Sequence, residues 1–168
     1  MHTWDFLATL ADMDLLLLGL WNTIKVFIFA LAFGIPLGFG LALGRMSRIP
    51  VLSQISSLII EFFRTTPPLV QLFWFFFAFP ILISVQMTPF VASVMTFSIQ
   101  SSAFFAEIFR GGINSIDKGQ WEAAKAIGMT RQSSLRRIIL PQAIKRMIPA
   151  FAERSIELLK TTTLISTV

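Results

Sequence analysis

Apolar positions run through this chain in blocks longer than a soluble helix needs. Leu15 to Leu43 is interrupted only by Asn22, Thr23 and Lys25, and Thr65 to Ala106 contains no Asp, Glu, Lys or Arg. A membrane-spanning helix takes about 20 apolar residues, so the second block holds most of two helices and a hairpin. Four spanning segments are predicted. The first covers 15–43 and ends at Arg45 and Arg48, with Pro50 closing the turn. The second runs from near Leu52 to about Phe79, and Pro80 to Thr88 reads as a short outer loop. The third starts at Pro89 and runs to about Phe109. The fourth, Pro149 to Val168, is puzzling, because it carries Glu153, Arg154, Glu157 and Lys160 at a depth where charge is expensive.

Breaks within these blocks carry further structure. Gly34, Gly38 and Gly40 repeat at short spacing, which in lipid lets a second helix approach closely. Pro67 and Pro68 remove two backbone donors from the second segment, so it must kink or break there. Between the third and fourth segments lies a polar stretch, about 113–140, that reads as two short helices. Gln120 to Ile127 forms the first and stops at Gly128, a suitable left-handed cap. Thr130 caps the second, and Leu140-Pro141 turns the chain into the last segment.

Composition agrees with the pattern. The chain of 168 residues is 55% hydrophobic and 14% charged, where soluble domains carry nearer a quarter charged residues. Eighteen Phe and four Trp suit contact with membrane lipid. There is no cysteine, which excludes a disulfide framework or a thiolate metal site, and the one histidine, His2, stands at the extreme terminus. The net charge of +5 is unevenly placed: eight Lys/Arg lie from Arg110 to Arg146, against Asp117 and Glu122, while the first fourteen residues hold three Asp and no Lys or Arg. By the positive-inside rule the central loop is cytoplasmic and the N-terminus outside. The absence of a basic leading region argues against a cleaved signal peptide.

The most distinctive element is Gly119-Gln-Trp-Glu-Ala-Ala-Lys-Ala-Ile-Gly128, followed at a distance by Ile138-Ile-Leu-Pro141. A protein with its own intramembrane chemistry would place such residues at bilayer depth, so a segment outside the lipid points to docking. Trp121, Ala124, Lys125 and Gly128 share one helical face, suited to a partner groove. An Ala-to-Gly spacing with following bases also occurs in helix-turn-helix DNA readers. Those need an apolar residue near position 134, where this chain has Ser134, and nucleic acid is not expected. Glu61/Arg64 and Glu107/Arg110 stand three apart on the second and third segments. They read either as local pairs that snorkel to the interface or as a polar network between helices that lines or gates a pathway. Gln71, Gln100 and Lys160 are further pathway candidates. No phosphate-binding Gly-x-x-x-x-Gly-Lys-Ser/Thr loop is present, so ATP hydrolysis would fall to another chain.

Five stretches taken in order resemble the permease subunits of ABC importers for polar amino acids, the branch with histidine and glutamine uptake systems. They are Gly19-Leu-Trp-Asn-Thr23, Glu61-Phe-Phe-Arg-Thr-Thr-Pro67, Ala106-Glu-Ile-Phe-Arg-Gly-Gly-Ile113, the loop from Gly119 to Ala143, and Leu158-Leu-Lys-Thr-Thr-Thr-Leu-Ile165. The resemblance covers 15–168. It implies an all-α membrane protein with the type I ABC importer transmembrane fold, showing about four of five spanning helices. Residues 1–168 are then a C-terminally incomplete permease domain, consistent with the tail Leu164-Ile165-Ser166-Thr167-Val168 ending without a basic stop. It implies that Gly119, Glu122, Ala123, Ala124, Gly128, Leu140 and Pro141 couple the loop to cytoplasmic ABC ATPase subunits. A second permease copy or a sister permease and an extracytoplasmic amino-acid-binding protein complete the expected assembly, in the cell inner membrane, with no cofactor and no metal. Thr65 and Thr161 replace the glycine and aspartate usual in the family, which bears on substrate and not on fold. Two other classes compete. An intramembrane enzyme lacks any Ser/His or paired-Asp site at depth, whereas a non-transporting scaffold, or a truncated non-functional permease, would also carry a docking loop.

Overall fold

Residues 13–167 are described by a computed structural model of the chain, and the regular structure among them is helical. His2, Asp5, Asp12 and Val168 lie outside the described residues. In chain order the helices are α1 (Met13–Arg45), α2 (Pro50–Thr65), α3 (Pro68–Phe73), α4 (Phe79–Ile83), α5 (Pro89–Asn114), α6 (Lys118–Ala126), α7 (Arg131–Ser134) and α8 (Leu140–Thr161). A 3₁₀ turn, Thr162–Thr167, follows α8.

The centre is α5, which packs against α1, α2, α3 and α8. Its buried positions are largely small: Ala92, Ser93, Ser98, Ser101, Ser102, Ala103 and Ala106. The hydroxyls of Ser93 and Thr96 donate to carbonyls one turn back, at 2.7 Å each, so those polar side chains are satisfied inside the helix. Against this surface α1 lays a stripe repeating every four residues: Val26, Ala30, Gly34, Gly38 and Ala42. A Cβ on Gly38 would stand 2.7 Å from both the Ser102 carbonyl oxygen and Phe105 Cβ. Gly40 differs from expectation: nothing lies within 4 Å of its Cβ position. It faces away from α5, as Leu37 and Leu43 do with half their surface exposed. Such an exposed apolar surface belongs against lipid or another helix.

The double proline breaks the second segment as the sequence requires. Thr66 is extended (φ −83°, ψ 131°), as a residue before proline must be. The chain then turns by 105° between Pro50–Thr65 and Pro68–Ile83. Two carbonyls stranded by the break, Phe63 and Thr66, accept hydrogen bonds from Gln71 Nε2 at 3.0 and 2.9 Å. Gln71 is buried, and its amide does the work of the missing backbone donors.

Two prolines interior to helices are absorbed by π turns. Trp74–Ala78 precedes Pro80 and Leu135–Ile139 precedes Pro141, each by two residues. In both, the residue before proline donates its N–H five residues back, Phe79 to Trp74 and Leu140 to Leu135. The wider turn removes the clash between the proline ring and the preceding carbonyl. Helical structure thus extends through Pro80 to Ile83, shortening the expected outer loop. It also runs straight through Leu140-Pro141, where the sequence suggested a change of direction: Ile139 and Leu140 both keep helical dihedrals.

Among the described residues α1 and α5 are long and apolar enough to cross a membrane, and the bent pair makes a third span if counted as one. The fourth expected span, Pro149 to Val168, is not a separate helix. Residues 149–161 belong to α8, which runs through Pro149 and is strongly amphipathic, and Thr162–Thr167 form the 3₁₀ turn. α8 reaches α5 through Phe151, whose ring stacks on Phe105 at 5.1 Å and meets Phe109 edge-on at 5.2 Å.

Candidate docking loop and charged cleft

The polar loop is built as a rigid unit. Asp117 caps α6 by accepting from the Gly119 N–H at 3.4 Å. At the other end Gly128 has φ +77°, its N–H bonds the Lys125 carbonyl, and the Met129 N–H bonds the Ala124 carbonyl, both at 3.0 Å. That pair is the Schellman arrangement, which needs a residue at ease in the left-handed region. Thr130 then caps α7 by accepting from Ser133 N. The helix is tied to the membrane body from its inner side. Trp121 packs on the cluster of Ile116, Ile139, Ala143 and Met147. Gln142 Nε2 donates to Gln120 Oε1 at 3.1 Å, and Arg146 donates to the Ser115 carbonyl.

This geometry divides the docking face proposed from sequence. Ala124 is 1% exposed and serves the interior, while Trp121 is half-buried, packing inward and lining the groove beside α6 with its remaining surface. Gly119, Glu122, Ala123, Ala126 and Gly128 are exposed. Leu140 is half-buried and Pro141 exposed. Both lie at the start of α8, outside the two short helices.

On the membrane side, four of the charges singled out meet. Glu107 on α5 accepts from Arg45 of α1 at 2.5 Å and from Arg110 at 2.8 Å, and Arg64 of α2 lies 3.9 Å away. Glu61 joins through Arg45 at 3.3 Å and Arg64 at 3.9 Å. The network therefore holds α1, α2 and α5 together, so the reading as isolated local pairs gives way to the inter-helix one. With three guanidiniums and two carboxylates it stays net positive, and Glu107 is its shared acceptor.

The network opens into a cleft of about 520 Å³ between α5 and α8, lined by Arg64, Phe104, Glu107, Arg146, Glu153 and Arg154 among others. The Arg154 guanidinium lies 3.8 Å above the Phe104 ring centre, and that of Arg64 lies 5.6 Å from it. Arg154 is 6% exposed and donates to Glu157 at 2.8 Å. Cation–π contact and an ion pair together explain how a guanidinium is kept there.

Residues 34–168 match the family of binding-protein-dependent transport system inner membrane components. The chain belongs to that family. It is 43% identical over 169 residues to the probable amino-acid permease protein YxeN of Bacillus subtilis, covering 99% of this chain and 75% of YxeN. It is 41% identical to the L-cystine transport system permease protein TcyL of the same organism, covering 84% of this chain and 62% of TcyL. It also matches the y4tF permease protein of Sinorhizobium fredii, named a probable amino-acid ABC transporter permease, at 40% identity and 64% of that protein's length. The chain thus spans roughly two thirds of the length of these curated relatives. The crystal structure of an amino acid ABC transporter with histidines superposes with a TM-score of 0.93 at 38% identity, over 98% of this chain and 77% of that one. Inward-facing MetNI, the methionine ABC transporter, shares the fold at a TM-score of 0.67 and 24% identity.

For this inner membrane component, the pathway candidates separate by location. Arg64 and Glu107 line the cleft, and Glu61 joins their network. Gln71 instead caps the break between α2 and α3. Gln100 is buried within α5, 3% exposed and outside the cleft, with its Oε1 lacking a hydrogen-bond partner. Lys160 is exposed on α8 and does not line the cleft. Arg45, Phe104, Arg146, Glu153 and Arg154 belong to the cleft or its network without having been among the pathway candidates. The charges carried by the fourth segment, with Arg154 and Glu157 three apart, were the readable signal there.

Proposed function

We propose that the chain is the membrane-spanning permease subunit of an ATP-driven importer of polar amino acids, moving its cargo by alternating access without covalent chemistry. The single observation that carries this reading is the construction of α6. The inner face of α6 is held against α8 through Trp121 and the Gln120–Gln142 hydrogen bond, α8 is joined to the end of α5 by Arg146 and the Ser115 carbonyl, and the outer face of α6 is left open. A displacement imposed from outside is therefore passed to the helices that form the charged cleft, since packed cores shift as units. The ATPase is a separate cytoplasmic subunit, a second copy or sister permease completes the path, and an extracytoplasmic binding protein delivers the amino acid. The names of the relatives support the amino-acid class. The basic loop supports a cytoplasmic position for α6 and an outside N-terminus. Arg64, Glu107 and Arg154 give the cleft the polarity a zwitterionic cargo requires.

The test is Gly128→Asp. A side chain at φ +77° costs about 1–2 kcal/mol, which loosens the Schellman turn without touching the spanning helices. Membrane insertion is expected to be retained, and amino-acid uptake per ATP hydrolysed to fall about tenfold or more. Normal coupled uptake by this variant removes the loop from the mechanism.

A further inference from the structure

We infer that the exposed bases of α7 and the π turn after it hold the headgroup of an anionic phospholipid, whose acyl chains lie along the outer face of α8. From Thr130 to Ala152 the chain carries five bases and no acid. One of them, Arg146, is engaged by the Ser115 carbonyl. Arg131, Arg136, Arg137 and Lys145 are exposed and make no ion pair among the described residues. Arg136 and Arg137 line a recess of about 410 Å³ together with Thr130, Gln132 and Ser133, and no carboxylate lines it. Two guanidiniums beside an amide and two hydroxyls form a donor set suited to phosphate oxygens. The arginines of the charged cleft are held by Glu107 and Glu157, whereas the fold makes no such use of this pair.

What lies beyond the recess decides its occupant. Arg137, Pro141, Ile144 and Ile148 follow at steps of four, three and four residues, and all are exposed. Ile139, Ala143 and Met147 form the buried counterpart. The outer stripe continues through exposed Ala152 and Ile156. Over that length α8 runs beside α5, with Phe151 on Phe105 and Leu158 in one cluster with Phe97. Since α5 is long and apolar enough to cross a membrane, the isoleucines stand at the depth of acyl chains. Arg137 precedes Ile148 by 11 residues, about 16 Å along a helix, which sets the guanidinium at headgroup level. Free phosphate would have no use for the stripe, and a soluble partner could not follow it into the bilayer. A second copy in a two-fold contact would bring the same bases against these. Transport need not occur for the site to fill; the chain need only stand in a bilayer, as an inner membrane component does.

The test places the full-length protein in nanodiscs of phosphatidylcholine with a minor share of phosphatidylglycerol and counts the lipid it retains by native mass spectrometry. The parent is expected to retain phosphatidylglycerol well above its share of the bilayer. Arg136→Gln with Arg137→Gln is expected to lower that retention about twentyfold, each base near the surface contributing a factor of about five. Arg48→Gln with Lys118→Gln removes the same charge from exposed positions elsewhere and is expected to leave retention near the parent's. Ile144→Ser with Ile148→Ser is expected to lower it severalfold. A parent without preference for phosphatidylglycerol overturns the site. Equal losses in the two charge-removing pairs overturn it as well, because the attraction is then a diffuse property of the basic surface. Retention indifferent to the isoleucine changes, with inorganic phosphate displacing the lipid, assigns the recess to a soluble anion and overturns the lipid. Release of a bound ATPase by the Arg136/Arg137 pair, with lipid retention unchanged, assigns the recess to that subunit and also overturns it.

Discussion

Gly38→Val is expected to leave little folded protein in the membrane, while Gly40→Val folds like the parent. The two glycines are two residues apart on α1 and are indistinguishable by composition or spacing. Their surroundings are opposite. At Gly38 the added Cβ alone would sit 2.7 Å from the Ser102 carbonyl oxygen and Phe105 Cβ, and 3.2 Å from the Ala106 nitrogen. Backbone atoms cannot swing aside, so α1 must retreat from α5. Overpacking of this kind costs about 1–3 kcal/mol where side chains can shift, and more where they cannot. The loss spreads along the stripe from Val26 to Ala42, because one displaced contact separates the others. At Gly40 the same Cβ meets nothing. Folded yield and thermal unfolding in lipid nanodiscs check the pair; equal behaviour of the two variants contradicts the packing described.

Glu107→Leu is expected to produce the second-largest effect. It removes the acceptor shared by Arg45, Arg64 and Arg110 and leaves three cations facing one another, with Glu61 alone to neutralise them. Removing one partner of a buried ion pair costs about 3–5 kcal/mol. Glu107 keeps 18% of its side-chain surface, so the lower end of that range applies. Arg45→Met alone costs less, because Glu107 keeps Arg110 at 2.8 Å. The double variant Arg45→Met/Glu107→Leu is expected to be less damaged than the sum of the two, since residues in one network are coupled by about 0.5–3 kcal/mol. Strict additivity in the unfolding measurement would mean that the two side chains do not interact.

Much of this was legible from the chain. The two apolar blocks gave α1 and α5 because nothing but a membrane span explains such lengths. The double proline gave the break, and Gly128 and Thr130 gave the ends of the short helices, because cap chemistry is local. What escaped was set by contacts distant in sequence or by geometry with no residue signature. Arg45 and Glu107 stand 62 residues apart, and no spacing rule joins them. Gly40 belongs to the same glycine-rich run as Gly34 and Gly38, and only the placement of α5 tells them apart. Pro141 suggested a helix start, but a π turn lets the helix continue through it. The loop helix has two faces, and the sequence showed their periodicity without showing which one the protein keeps. Trp121 marks the inner one because the apolar cluster of Ile139 and Met147, from later in the chain, covers it.

The central claim is ATP-driven movement of a polar amino acid through this permease, and reconstitution tests it most directly. The full-length protein is placed in proteoliposomes with the ATPase that co-purifies with it, ATP inside, and its binding protein and radiolabelled amino acids outside. The account expects binding-protein-stimulated ATP hydrolysis together with accumulation of at least one polar amino acid. Hydrolysis indifferent to the binding protein, with no amino acid accumulated, would contradict it and leave a membrane scaffold as the better description.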